Sequence, residues 1–487
     1  GTNGWGGSYL VLIDGVPRPD NNVKPEEIAS ISFLKGANAC ALYGSHASKG
    51  VVLITTKRGE QGDIRIKAHV NTGWNVAKSY PEYVGSAEYA TLYNEALAND
   101  GIEPLYSELD IYNYAVGENP VRYPDVNFYS SEYLRKAFNR TQATAEIDGG
   151  NNMARYYANV DYYREGSHFK VGEASNSFTS RFSVRGNVDV NISDYVKAYV
   201  DANVSFYDAR SYNGANFWEN ASTLRPNSIA PFVSLDYIDP NAEDVLSQVN
   251  TSSNLVDGQF IAGSNTYKTN AITDMYVAGK RTSTYRKLQF ETGLDIDMSF
   301  LLKGLKFHTQ FGMDYATSYV QSYDNQYKSF EPIWGNYNGK DVIIGFKDTG
   351  TVDKYTGVQN IGDGDTDQTY AFDANFSYDR AIGAHTFGAI LVARGYQIRN
   401  AGEYHAESDA SLGLNVRYNF AKRYFLDFTG SIVHTAKLAK EMRNGFSPSV
   451  TLGWNLAKES FLEGGMFNNL TLSVSASKLA NDADIDG

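Results

Sequence analysis

The chain has 487 residues, with 36 Tyr, 25 Phe, 44 Gly and a formal charge of -13; it is too long for one ordinary soluble core, and its acidic balance argues against a general nucleic-acid surface, which is basic. No run approaches the ~18 apolar residues of a membrane helix, so the chain either folds as several soluble domains or crosses a membrane with strands, since only helices and closed barrels satisfy every backbone group in lipid. The lone cysteine, Cys40, excludes an intramolecular disulfide and a cysteine-based zinc site of the usual spacing, and it reads as a small buried side chain.

Residues 1–7 are Gly-rich and precede a strand expected over 9–14, which the Gly15-Val16-Pro17 turn ends. Their spacing fits neither a dinucleotide fingerprint nor a Walker A loop. Two further short strands are expected at 31–34 and 51–56, the second carrying the β-branched Val51, Val52 and Ile54. Between them Gly44 and Gly50 supply the backbone freedom of sharp turns. On spacing alone this is a small mixed sheet with no stated role.

From Asp63 the period changes. Ile64, Ile66, Ala68, Val70 and Thr72 alternate with Arg65, Lys67, His69 and Asn71, over a length near the ~9–11 residues of a tilted membrane strand. A half-buried strand of a soluble sandwich would alternate in the same way, so repetition has to make the case. The alternation recurs at 141–148 and 156–163, at 181–192 and 196–206, at 288–298 and 305–315, at 370–378 and 386–394, at 412–420 and 424–432, and at 446–455 and 470–477. About thirteen strands result. They pair through short turns on one side and long loops (75–140, 208–283, 319–368, 399–410) on the other, as outer-membrane barrels do with periplasmic turns and extracellular loops. Tyr and Phe near the strand ends suit interfacial girdles. Within the first loop, residues 86–100 read as a short helix with Ser86 as N-cap.

Little points to catalysis. The seven His are scattered, and His69 and His308 fall on polar strand faces, where a solvated side chain outweighs a metal ligand. Gly44-Ser45-His46 lacks the G-x-S-x-G elbow of an activated serine, and the chain reads as no enzyme. The run from Asp363 to Asp367 starts like a calcium loop, but Gln368 stands where Gly is required, so a solvated loop is expected. Asp482, Asp484 and Asp486 fit the first half of that motif and form the weak calcium candidate; no other metal or cofactor is expected. Trp218 with Asn216 and Arg225, and Trp334 with Tyr337 and Tyr323, set flat apolar faces beside hydrogen-bonding groups, which suits sugar rings. The competing reading is that these aromatics only hold the loops together.

The run LVLIDGVP at 10–17, followed by PEEIASISFLKGANACALYGSHASKGVVLITTKRG at 25–59, resembles the end of the plug domain in the SusC/RagA family of TonB-dependent outer-membrane transporters. There the matching stretches read YVIDGVP, IESIEVLKDA and IYGSRAANGVILITTKRG. The chain departs at Gly36, His46 and Lys49. NGFSPSVTLGWNLAKESFL at 444–462 is similar to the family's FSPSVSLGWRLSEE. The resemblance implies an all-β transmembrane barrel of the bacterial outer membrane, with about 13 of an expected 22 antiparallel strands, preceded by a mixed α/β plug fragment. Residues 1–60 would be the C-terminal part of the plug, with Gly44, Ser45, His46 and Lys49 in its turn, and 61–487 the N-terminal part of the barrel. No secretory leader opens the chain, and by the family pattern it is expected to be an internal portion of a longer protein. The resemblance further implies energy-coupled import with a SusD-like surface lipoprotein and the TonB-ExbB-ExbD complex. Oligosaccharide is the expected substrate and oligopeptide the alternative within the family; a passive porin or adhesin is the rival from another class.

Overall fold

A computed structural model describes residues 9–34, 43, 47, 50–356, 359–436, 438–462, 466–478 and 480. Near its start, β1 (Leu10–Ile13), β2 (Val16–Pro17), β3 (Ile28–Leu34) and β4 (Val51–Thr56) form a four-stranded sheet in the order β2-β1-β4-β3. β1 runs parallel to β4, and the other pairs are antiparallel. Asp14 and Gly15 both take positive φ, 49° and 89°, which closes β1 onto β2 in a two-residue turn. Leu12, Ile13, Val51 and Ile54 are buried here.

The wall follows. Its strands are β5 (Gly62–Val76), β6 (Ala137–Gly150), β7 (Ala154–Glu165), β8 (Phe178–Asn191) and β9 (Val196–Tyr212). Beyond the loop strands β10 (Phe232–Ser234) and β11 (Gln259–Ile261) come β12 (Lys280–Asp297) and β13 (Leu305–Ser322). Beyond a loop hairpin of β14 (Glu331–Tyr337) and β15 (Lys340–Lys347) come β16 (Asn360–Ile382), β17 (His385–Arg399), β18 (Glu407–Phe420), β19 (Tyr424–Thr435), β20 (Asn444–Asn455) and β21 (Thr471–Ser477). The wall strands make one 13-stranded antiparallel sheet in which sequence neighbours are spatial neighbours, matching the thirteen alternating segments of the sequence.

Burial on this sheet is inverted relative to a soluble protein. Leu412, Leu414 and Val416 are exposed while Ser411 and Asn415, on alternate positions of the same strand, are buried; Val184 and Val188 are exposed while Arg185 and Asn187 are buried. Large exposed apolar faces of this extent mark contact with another apolar phase. Apolar-out and polar-in alternation is the pattern of a strand wall facing hydrocarbon. The fold is thus a β-barrel wall around a small mixed sheet.

Several strands run past the segments expected from alternation. β16 starts at Asn360 and pairs Asp365 with Ser318 and Asp367 with Ala316, so the acidic run is strand rather than the solvated loop expected. Above the wall the long loops fold instead of trailing. They carry the helices α1 (Ser86–Asn99), α2 (Glu108–Val116), α3 (Phe217–Thr223), α4 (Glu243–Asn250) and α5 (Ala271–Val277). Phe128, Leu134, Phe169, Phe217, Ile272 and Met275 form one apolar centre of this cap, and Val233, Val249, Phe260, Phe330 and Ile343 another. The helix expected from 86 is present, but Gly85 is its N-cap. Ser86 is the first helical residue, and its N–H and Oγ donate to Asp125 Oδ1 at 2.9 and 3.0 Å.

Candidate functional site

The small sheet sits inside the wall, and charge decides how it is held. Arg18 leaves β2 directly after Pro17 and is 5% exposed. Its Nε and Nη2 donate to the two oxygens of Asp314 on β13 at 2.7 and 2.6 Å, and its Nη1 donates to Glu291 on β12. Burial opposes the guanidinium's charge, but Glu291 and Asp314 outweigh it and hold its pKa above the ordinary value. Lys24 reaches Asp161 on β7 at 3.1 Å and Ser183 on β8; burial draws its pKa below the ordinary value. Glu27 reverses the polarity, meeting Arg185 of the wall at 3.2 Å with both side chains buried.

The end of β4 supplies the second half of the clasp. β4 stops at Thr56, and the next two residues turn to the wall: Lys57 Nζ donates to Glu146 at 2.9 Å, and Arg58 grips Asp189 and Asp201 together. The Arg58 guanidinium also lies over the Tyr199 ring, 5.0 Å from its centroid. Asn187 Nδ2 donates to Thr56 Oγ1 and to the Lys57 carbonyl at 3.0 and 2.7 Å. Buried charges are tolerated only when paired and hydrogen-bonded, so the polar inner wall and the basic rim of the plug sheet require each other. Shape agrees with charge: a Cβ on Gly312 of β13 would lie 2.4 Å from Val16 Cγ2, so the plug rests against bare backbone there.

This seat separates two cavities. On the loop side lies a chamber of about 900 Å³, whose lining includes Arg18, Asp20 and Lys24 from the plug and Arg181, Lys287 and Asp367 from the wall. On the opposite side lies a cavity of about 280 Å³ against Tyr43, Arg58, Tyr199, His308 and Arg394. The chamber has the size of a ligand pocket, its lining is mixed in charge, and its floor is the element held by the ion pairs.

The residues singled out from the sequence fall at separate stations. Asn216 caps α3, its Oδ1 accepting the Trp218 N–H at 3.1 Å. Trp218 is 40% exposed and stacks with Tyr80 and Tyr129 at 6.3 and 6.1 Å. Arg225 lies over Tyr93 and Tyr89, 5.1 and 5.8 Å from the ring centroids. Trp334 meets Tyr237 edge-on at 6.0 Å beside the second apolar centre of the cap. Tyr337 ends β14 and is exposed, and Tyr323 lies under Lys280 Nζ at 5.1 Å. All six belong to the cap or its base, and the chamber's lining is drawn from other residues. Gly44, Ser45, His46, Lys49, Asp482, Asp484 and Asp486 lie outside the described residues. Among the described residues no group of three or more His, Cys, Asp or Glu is placed to hold a metal ion; His308 pairs with Asp295 at 2.8 Å.

Sequence reasoning missed the clasp: Arg18, Lys24, Lys57 and Arg58. A signal was present on the wall side, since Asp161, Asp201, Glu291 and Asp314 occupy inward positions in mid-strand, where an ionised carboxylate needs a partner. Which cation answers which carboxylate is a long-range fact that one sequence does not display.

No family model matches the chain. TonB-dependent receptor P3 of Formosa agariphila is 23% identical over 475 residues, which cover 93% of this chain and 42% of that protein. TonB-dependent receptor SusC of Bacteroides thetaiotaomicron is 22% identical over 493 residues, covering 93% and 44%. Among solved structures, that of the RagAB peptide transporter superposes with a TM-score of 0.69 at 16% identity, covering 99% of this chain and 55% of that one. The chain therefore spans about half the length of the relatives it matches. Wall, clasped plug and these likenesses together make the chain similar to TonB-dependent receptors of the SusC kind, with the β-barrel fold of those outer-membrane proteins.

Proposed function

We propose that the chain supplies the plug seat and part of the wall of an energy-coupled importer that carries an oligosaccharide across the bacterial outer membrane. In this reading residues 1–60 belong to the plug and 61–487 to the barrel. The observation that carries it is the floor of the 900 Å³ chamber: the plug is fixed to the wall by Arg18, Lys24, Lys57 and Arg58 on buried or half-buried carboxylates. Opening a passage means parting those pairs, and since breaking one buried pair costs about 3–5 kcal/mol, parting all four together is far costlier than parting any one. Work delivered to the plug by a TonB-ExbB-ExbD complex meets that need, and a SusD-like lipoprotein over the folded loop cap would hold the ligand on the outer side. The exposed faces of Trp218 and Tyr337, with Asn216, Arg225, Tyr323 and Trp334, support a sugar ligand through ring stacking.

One observation favours a second reading, import of an oligopeptide: the chamber is lined by both signs of charge, including Lys24, Lys287, Asp20 and Asp367, as a zwitterionic chain would require. Uptake of defined glycans and defined peptides by cells with and without the gene separates the two. Loss of glycan uptake alone is the expected result, and loss of peptide uptake alone overturns the sugar assignment. Large, voltage-independent conductance of the full-length protein in a planar bilayer would overturn coupled import in favour of a passive pore.

A further inference from the structure

Arg225 is a cation answered by tyrosines in place of a carboxylate. Its guanidinium lies over Tyr93 and Tyr89, with the Tyr106 and Tyr267 hydroxyls near enough to act on its charge. Among the described residues no ion pair to Arg225 is formed. Ring faces satisfy a cation only in part, at about 0.5–2 kcal/mol, whereas an oxyanion offers a guanidinium two parallel charge-assisted hydrogen bonds.

The frame is rigid and partly open. Asn94 of α1 donates to the Tyr106 carbonyl at 2.7 Å and accepts from the Leu105 and Tyr106 N–H groups at 2.9 and 3.0 Å, which ties the segment after α1 back onto the helix. Tyr89, Tyr93, Tyr106 and Tyr267 are each half-buried. The rings continue outward: Tyr89 to Tyr93 at 5.8 Å, Tyr93 to Tyr106 at 6.0 Å, Tyr106 to Tyr114 at 6.3 Å and Tyr114 to Tyr123 at 5.5 Å. Such a row offers alternating ring faces and hydroxyls to a chain of pyranose rings. The chain as a whole carries a formal charge of -13, so an acidic ligand needs a cation to hold it, and Arg225 stands among the rings that would stack the sugar.

We propose that Arg225, framed by Tyr89, Tyr93, Tyr106 and Tyr267, is a recognition station on the loop cap for the acidic group of an incoming oligosaccharide, a uronate carboxylate or a sulfate ester. This rests on the reading of the protein as an oligosaccharide importer and names the substrate class. The test is calorimetric titration of the full-length protein in detergent at low salt with trigalacturonate, a sulfated carrageenan tetrasaccharide, neutral maltotriose and triglutamate. At least one acidic sugar is expected to bind about tenfold tighter than maltotriose. Arg225→Gln should abolish that preference, Arg225→Lys should keep part of it, and Tyr106→Phe, which deletes only a hydroxyl, should weaken acidic sugars severalfold. Which acidic sugar responds distinguishes carboxylate from sulfate. Equal binding of maltotriose and the acidic sugars, unchanged in Arg225→Gln, overturns the station while leaving sugar import standing. Arg225-dependent binding of triglutamate alone overturns the glycan assignment, and failure of every sugar to bind overturns the oligosaccharide reading together with the station.

Discussion

Arg58 meets Asp201 in two parallel N–H···O bonds of 2.9 Å each, while its Nε spans the Asp189 carboxylate at 3.0 and 3.1 Å. One plug side chain thereby bridges β8 and β9. Asp201 is 2% exposed, so removing its partner strands a buried charge. Arg58→Gln should weaken retention of the plug by about 3 kcal/mol, or roughly 100-fold in its opening equilibrium. Hydrogen exchange of the β4 amides reads this directly. Arg58→Gln combined with Asp201→Asn should hold the plug better than Arg58→Gln alone, because the stranded charge is gone. If the double variant opens as readily as the single one, the isolated carboxylate is not what loosens the seat.

The contact between Gly312 and Val16 gives a steric counterpart. A Cβ at position 312 would stand 2.4 Å from Val16 Cγ2 and 3.4 Å from Cγ1, closer than van der Waals contact allows. Gly312→Ala should therefore push the plug off the wall and destabilise its seating by about 1–3 kcal/mol. Val16→Ala should suppress that effect in the double variant, since it removes the colliding methyls. Urea titration of plug exposure in the three variants measures it; a Gly312→Ala defect that Val16→Ala fails to relieve would mean the two surfaces do not touch there.

Neighbouring positions on β18 should report different solvents. Leu414 is exposed and Asn415 buried, with Asn415 Nδ2 donating to Thr429 Oγ1 at 2.8 Å and to Asp427 at 2.9 Å on the lumen side. In a Cys40→Ser background, a fluorophore on a cysteine at 414 should be quenched by brominated lipid, and one at 415 should not. Leu414→Arg should cost about 2–4 kcal/mol if the position lies near the bilayer midplane. Equal quenching at the two sites would remove the assignment of this face to hydrocarbon.

The sequence reports these faces because lipid selects them. Where both sides of a strand see the same medium, the signal vanishes, which is why β18 was legible from Leu412 but not at its start, Glu407. For the same reason β16 was legible from Tyr370 but not through Asp365 and Asp367, where nothing apolar is required. The cap was legible only in part: α1 could be read as a helix starting near Ser86, whereas α3 and α5 are short helices fixed by the tertiary contacts of Phe217, Ile272 and Met275. Ser86 looked like a cap because Ser favours that position, yet Asp125, far along the chain, took the role of acceptor. The aromatic loop residues stand out in the sequence, but their separation into stations depends on how the loops fold over one another.

His168 tests that cap by pH. Its ring lies 4.2 Å from Phe169, 5.3 Å from Trp218 and 5.6 Å from Phe138, and its Nε2 is buried without a hydrogen-bond partner. Burial holds its pKa below the ordinary 6.5, and Glu165 pulls the other way but less strongly. The unfolded imidazole therefore takes up a proton more readily than the folded one. Stability from this residue is complete above about 6.5 and is lost as pH falls below that value, levelling off once the folded ring itself is protonated. The Arg135 amide, which donates to the His168 carbonyl at 2.8 Å, and the Lys170 amide, which donates to the Tyr133 carbonyl at 2.8 Å, are the reporters. Corrected for intrinsic rates, their hydrogen exchange should be faster at about pH 5.5 than at about pH 7.5, within the range where a histidine titrates, and His168→Gln should flatten the difference. The same acid response in His168→Gln would assign the effect to another group.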